Sequence, residues 1–138
     1  MDVIQAIQER RSVRAFLDKP VLPQTLHQVL ETARWAPSGV NTQPWQVIAL
    51  QAPKIQQLGE AIIADMETGA ANRPDYHYYA EAWKEPYQSR RKACGLALYS
   101  ALNIQKEEMK RRKAQWYRNY TFFGAPVGLI FLIDAQLE

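Results

Sequence analysis

Three guanidinium groups and one hydroxyl fall within five residues at Arg10-Arg11-Ser12-Val13-Arg14. Arginine presents a planar fork of N–H donors that engages phosphate oxygens in pairs, and a serine hydroxyl adds a neutral donor beside it. This is chemistry for gripping a phosphate. Successive residues of a helix cannot all point at one spot, whereas an extended or turning segment lets Arg10, Ser12 and Arg14 converge, with Arg11 adding positive field or a separate hydrogen bond. The competing reading makes the arginines surface charges paired with Glu9 and Asp18, although ordinary exposed ion pairs require neither Ser12 nor such density.

A second segment, Pro37-Ser38-Gly39-Val40-Asn41-Thr42-Gln43-Pro44-Trp45, combines small residues with side-chain amides. Its Ser, Asn and Gln offer neutral donors and acceptors suited to the edge of a planar heterocycle, and Gly39 permits close backbone approach. Asn41 is the foremost candidate for a ring-edge contact, with Gln43 as a second amide and Ser38 and Gly39 shaping the turn. An Asx or Ser turn that merely joins two elements also fits Pro37 and Pro44. Trp45, at the head of an apolar run, reads as a core anchor rather than a stacking platform. Taken together, the two segments point to a phosphorylated aromatic cofactor.

The elements around these segments are legible. Asp2 is placed to cap a short helix carrying Val3, Ile4 and Ile7, after which the arginines follow. Beyond a turn at Pro20 to Pro23, Leu26, Val29, Leu30 and Ala33 repeat with helical spacing up to a stop before Pro37. Trp45 to Leu50 is rich in β-formers and predicts a strand leaving the amide loop directly, so the loop is anchored at both ends. A helix is expected from about Pro53 to Met66, with Ile55, Leu58, Ile62 and Met66 inward, broken by Thr68 to Pro74. Asp75 to Tyr87 holds Tyr76, Tyr78, Tyr79, Trp83 and Tyr87 among charges, and reads equally as a lid or as a loop folded back on the core.

A long helical signal starts near Ser89, with Ala93, Leu96, Ala97, Ser100, Ala101 and Ile104 on one face and no Gly or Pro from Leu96 to Phe123. Its basic stretch, Lys106 to Arg118, reads as a solvated face ahead of an RNA-binding or acidic-partner surface. Gly124 to Pro126 end the helix, and the apolar run Val127 to Ile133 predicts a central strand covered on both faces.

The arginine segment and the amide loop together resemble the nitroreductase family of FMN-dependent oxidoreductases. Nearly all of the chain takes part in the resemblance. It implies an α+β nitroreductase-like fold with a central mixed sheet flanked by helices, and one domain over residues 1–138. It also implies that Arg10, Arg11, Ser12 and Arg14 hold the FMN phosphate and ribityl chain. Pro37, Ser38, Gly39, Asn41 and Gln43 would then reach a flavin across the interface of a homodimer. NAD(P)H would be the reductant and a small electron-poor molecule, such as a nitroaromatic or quinone, the acceptor. No catalytic side chain is assigned, since the flavin carries the redox chemistry. Family members continue past the strand ending near Asp134, so the resemblance implies a chain shortened at its C-terminus. The alternative is a truncated, flavin-free interaction protein using an exposed sheet edge or the basic helix.

Composition agrees with one soluble enzyme domain. The 138 residues are 47% hydrophobic, enough for a core, and the net charge of +3 is too small to argue for nucleic acid. The longest apolar run is far short of the ~20 residues that a membrane helix requires. The N-terminus lacks a secretory pattern, so the cytoplasm is the expected compartment. Cys94 is the single cysteine and, set among small apolar residues, is expected to be packed and inert. His27 and His77 lie far apart without ligands at metal-binding spacing, and no metal site is expected. No Walker A loop, dinucleotide fingerprint or serine triad is present.

Overall fold

In the computed structural model, which describes residues 2–69 and 77–137, the order is α1 (Val3–Glu9), α2 (Pro23–Ala33), β1 (Gln46–Gln51), α3 (Lys54–Glu67), α4 (Tyr87–Ala101), α5 (Met109–Tyr117) and β2 (Val127–Leu132). Tight turns lie at Gly39–Asn41, Phe122–Gly124 and Ala135–Leu137. The chain divides into two compact units, Met1–Glu60 with Thr121–Glu138, and Ala61–Tyr120. Its helices and small sheet match the α+β expectation.

Both candidate segments belong to the first unit. Asp2 caps α1 by accepting a hydrogen bond from the Gln5 backbone N–H at 2.8 Å, satisfying one of the donors left over at a helix start. Proline opens α2 at Pro23, where its missing N–H costs nothing, and α2 ends at Ala33 ahead of the amide loop. Strands β1 and β2 pair antiparallel with Gln46 opposite Leu132 and Gln51 opposite Val127. Gly128 of β2 is buried, and a Cβ there would lie 2.7 Å from the Phe122 ring. Glycine is therefore what allows Phe122 to lie against the strand.

The expected central position of β2 is corrected: among the described residues the sheet has two strands, and β2 pairs with β1 alone. A run of apolar residues registers hydrophobicity on both faces but carries no record of how many strands flank it. Phe131 and Leu132 are exposed accordingly.

Helix α3 carries the inward face expected of it. Ile55 and Gly59 are buried, and Leu58, Ile62 and Met66 are half-buried. Within the second unit, Glu67 at the end of α3 accepts from Lys113 of α5 at 2.7 Å and from the Tyr117 hydroxyl at 2.5 Å. Arg112 of α5 stacks over Tyr99 of α4 at 4.4 Å from the ring centroid. Much of the basic stretch is thus occupied inside its own unit.

The long uninterrupted helix is also corrected. Helix α4 ends at Ala101, and Asn103 takes the left-handed conformation with φ 50°. The Ile104 N–H bonds the Tyr99 carbonyl at 2.9 Å and the Asn103 N–H bonds the Ser100 carbonyl at 3.0 Å. This is a Schellman ending with asparagine where glycine is usual, which is why a scan for Gly and Pro missed it. Cys94, expected to be packed, is exposed on α4.

Of the aromatic segment, Asp75 and Tyr76 lie outside the described residues. Tyr78 and Tyr79 meet edge to face at 4.7 Å, and Arg91 of α4 lies over Tyr79 and Trp83 at 5.8 and 5.2 Å. Arg90 lies over Tyr87 at 5.8 Å, while Tyr78, Tyr79 and Tyr87 remain exposed.

Candidate functional site

The backbone leaves α1 in extended form at Arg10, with φ −53° and ψ 130°, so successive side chains diverge. Arg10 Nη1 reaches Ser12 Oγ at 3.5 Å, and Arg14 Nη1 donates to the Ser12 carbonyl at 3.3 Å. Arg10, Ser12 and Arg14 are thereby brought together around Ser12. Arg11 turns the other way: its Nη1 donates to the Gln8 and Arg10 carbonyls at 2.9 and 3.1 Å, covering the C-terminal end of α1. A cation there also complements the partial negative charge of the helix terminus.

Pairing with Glu9 and Asp18 does not account for Arg10 and Arg11. Among the described residues neither Arg10 nor Arg11 forms an ion pair. The Arg14 guanidinium lies 5.7 Å from the Phe123 ring centroid, an aromatic support for its position. Phe122, Phe123 and Gly124 all have positive φ, at 52°, 56° and 78°, and this turn delivers the ring. Phe123 escaped the sequence reading because nothing about a lone Phe-Phe pair before a strand signals a distant arginine.

The amide loop is closed by its own polar groups. Ser38 Oγ accepts from the Gln43 backbone N–H at 2.8 Å, and the Asn41 and Thr42 N–H groups donate to the Ser38 and Gly39 carbonyls at 3.0 and 3.1 Å. The side-chain NH2 of Gln43 donates to Asn41 Oδ1 at 2.7 Å and to the Ala36 carbonyl at 3.4 Å. Val40, Asn41 and Gln43 sit at φ 44°, 56° and 49°. A left-handed valine is uncommon for a β-branched residue, and such backbone persists only where surrounding bonds hold it.

Asn41 and Gln43 line an open cavity of about 550 Å³ together with Pro37, Trp45, Trp35 and Arg34. Trp45 also faces an apolar cavity with Leu30, Val47 and Phe131, in keeping with an anchor between α2 and the sheet. The four residues of the arginine segment are not among those lining the Asn41 cavity. The structure thus presents two separate polar groups: a cationic one around Ser12, and an amide one around Asn41 whose cavity is also lined by the Arg34–Glu31 ion pair.

The donor set fits FMN in kind. Arg10, Ser12 and Arg14 suit a phosphate, and the amide loop suits the edge of a heterocycle. Among the described residues no cluster of His, Cys, Asp and Glu could hold a metal ion, and no helix is long and apolar enough to cross a membrane.

The sequence pattern of the Nitroreductase family matches residues 7–138, and the chain belongs to that family. It is 33% identical over 133 residues to a nitrobenzene nitroreductase of Ectopseudomonas oleovorans, a match covering 96% of this chain and 59% of the relative. A 4-nitrobenzoate reductase of Nocardioides sp. is 38% identical over 130 residues, covering 92% of this chain and 53% of the relative. Among solved structures, the FMN- and NADPH-dependent nitroreductase NfnB of a Sphigopyxis strain superposes with a TM-score of 0.91 at 37% identity, over 100% of this chain and 62% of that one. The chain therefore spans somewhat over half the length of the relatives it matches.

Proposed function

We propose that this chain serves an FMN-dependent oxidoreductase that passes a hydride from NAD(P)H to an electron-poor acceptor such as a nitroaromatic or a quinone. The observation that carries the reading is the convergence of Arg10 and Arg14 on Ser12, with no carboxylate partner for Arg10 among the described residues. Two guanidinium groups gathered at one serine are matched to a doubly charged phosphate. Bound flavin would supply the redox chemistry, accepting hydride and releasing it to the acceptor.

The residues of this chain supply binding and orientation. Arg10, Ser12 and Arg14 hold the phosphate, and Arg11, fixed on the end of α1, adds positive field. Pro37, Ser38, Gly39, Asn41 and Gln43 form the loop that meets the edge of the heterocycle. Family membership favours this reading over a flavin-free interaction protein.

The continuous family match over residues 7–138 supports a single domain as the working unit. A homodimer belongs to the same proposal. Val3, Ile4 and Ile7 of α1 and Leu96 of α4 are 68–75% exposed, and apolar side chains in such numbers favour burial against a second copy. A cytoplasmic setting is proposed with it, the lone Cys94 being suited to a reducing compartment.

The test is turnover. Chain loaded with FMN should oxidise NADPH or NADH in the presence of 4-nitrobenzoate or a quinone, with the acceptor reduced in step. Flavin that stays oxidised under excess of both nicotinamides would overturn the reading.

A further inference from the structure

Gln43 has both N–H groups of its side-chain amide engaged, one on Asn41 Oδ1 at 2.7 Å and one toward the Ala36 carbonyl at 3.4 Å. A carbonyl oxygen can only accept, so the end of Gln43 that faces Ala36 is its NH2. The same NH2 faces Asn41, whose amide must then turn its oxygen inward, because two NH2 groups at 2.7 Å would set donor against donor. The Gln43 backbone is itself held, its N–H on Ser38 Oγ at 2.8 Å and its φ at 49°. Asn41 Nδ2 has no partner among the described residues, and Asn41 lines the cavity of about 550 Å³.

We propose that Gln43 is a positioning residue: it fixes the sense of the Asn41 amide so that the loop presents a hydrogen-bond donor to an acceptor atom on the edge of the bound heterocycle. The inference rests on the reading of the loop as a flavin contact and assigns Gln43 a role through Asn41 instead of a contact of its own. Gln43 has no donor left to offer a ligand, whereas Asn41 keeps both of its donors. A fixed amide also gives the loop chemical selectivity. A ring that offers N–H where the cofactor offers a carbonyl or imine nitrogen would meet a donor facing a donor and be rejected.

The test combines a double-mutant cycle with a measurement on the ligand-free chain. FMN affinity and the visible spectrum of bound FMN are measured for the parent, Gln43→Leu, Asn41→Ala and the double variant, with thermal melting to establish that each folds. Each single variant should weaken FMN binding about tenfold and shift the flavin band. The double should be no weaker than the worse single, because Gln43 acts only through Asn41. Losses that multiply in the double variant would mean that Gln43 meets the ligand directly and would overturn the proposal. If Asn41→Ala binds like the parent while Arg14→Ala does not, the loop's assignment to the flavin falls and the proposal with it, the phosphate site standing. In the FMN-free chain, NMR should find the Gln43 side-chain amide protons exchanging slowly, and fast in Asn41→Ala. Fast exchange in the parent would overturn the lock whatever the outcome with FMN.

Discussion

The Ser38 hydroxyl accepts the backbone N–H of Gln43 at 2.8 Å and so ties the two ends of the amide loop across three left-handed residues. Without that acceptor, the Gln43 N–H loses its partner while the unfavourable φ values at Val40, Asn41 and Gln43 remain. Ser38→Ala should therefore cost about 1 kcal/mol of stability in urea unfolding and also weaken FMN binding. A variant as stable as the parent would show that the loop holds its shape by other means.

The two faces of the arginine segment make separable predictions. Arg14→Ala should weaken FMN by about 1.5–3 kcal/mol if Arg14 donates to the phosphate, read by fluorescence titration. Arg11 donates to the last carbonyls of α1, so Arg11→Ala should lower helicity in circular dichroism and affect FMN less than Arg14→Ala does. The reverse ranking would place the phosphate on the other side of the segment.

Gly128 in β2 leaves no room for a side chain, since an added Cβ would lie 2.7 and 2.8 Å from two atoms of the Phe122 ring. Gly128→Ala should destabilise by about 1–3 kcal/mol in urea unfolding. The double variant Gly128→Ala with Phe122→Leu should recover part of the loss. Absence of any loss in the single variant would mean that Phe122 moves aside freely.

Asn103 closes α4 at φ 50°, a conformation that glycine adopts without strain and valine does not. Asn103→Gly should leave the melting temperature close to the parent's, and Asn103→Val should lower stability by about 1–2 kcal/mol. Equal stability in all three would contradict a left-handed ending.

The Glu67–Lys113 pair predicts a pH window. Hydrogen bonds from Lys113 and then Tyr117 hold the Glu67 carboxyl below its ordinary 4.5, and donating to Glu67 raises Lys113 above its ordinary 10.5. A depressed acid stabilises above its unfolded value and loses that contribution as pH falls through the folded value. A raised base stabilises below its unfolded value and loses its contribution as pH rises through the folded one. The pair should thus be fully present between about pH 5 and 10 and fade on either side. Both groups are exposed, so the effect is small and shrinks with salt. Lys113→Met should move the Glu67 titration, followed by NMR, back toward its ordinary value; an unmoved titration would rule out the bond.

Much of this arrangement was legible in residue types. The Asp2 cap, β1 and the inward face of α3 rest on local chemistry and short-range spacing, and each falls within a residue or two of its expected place, while α2 begins at Pro23, inside the expected turn. Both candidate segments stand out for the same reason, since guanidinium density and clustered amides are properties of a few consecutive residues. What escaped depends on conformation or on distance in the chain. Asn103 breaks the helix by adopting a left-handed φ that Asn reaches only sometimes, so its residue type alone says little. Phe123 supports Arg14 from the far end of the chain, and the number of neighbours of β2 is set by strands rather than by its own residues. Arg11 illustrates the limit within a motif: adjacent arginines look alike in sequence, and the extended backbone sends them to opposite tasks.

The most direct measurement is a titration of the purified 138-residue chain with FMN, followed by flavin fluorescence, with molecular mass determined on the same sample. The account predicts saturable quenching with one FMN per chain on a species of twice the chain mass, lost in Arg14→Ala. An unchanged flavin signal up to high micromolar protein would contradict it.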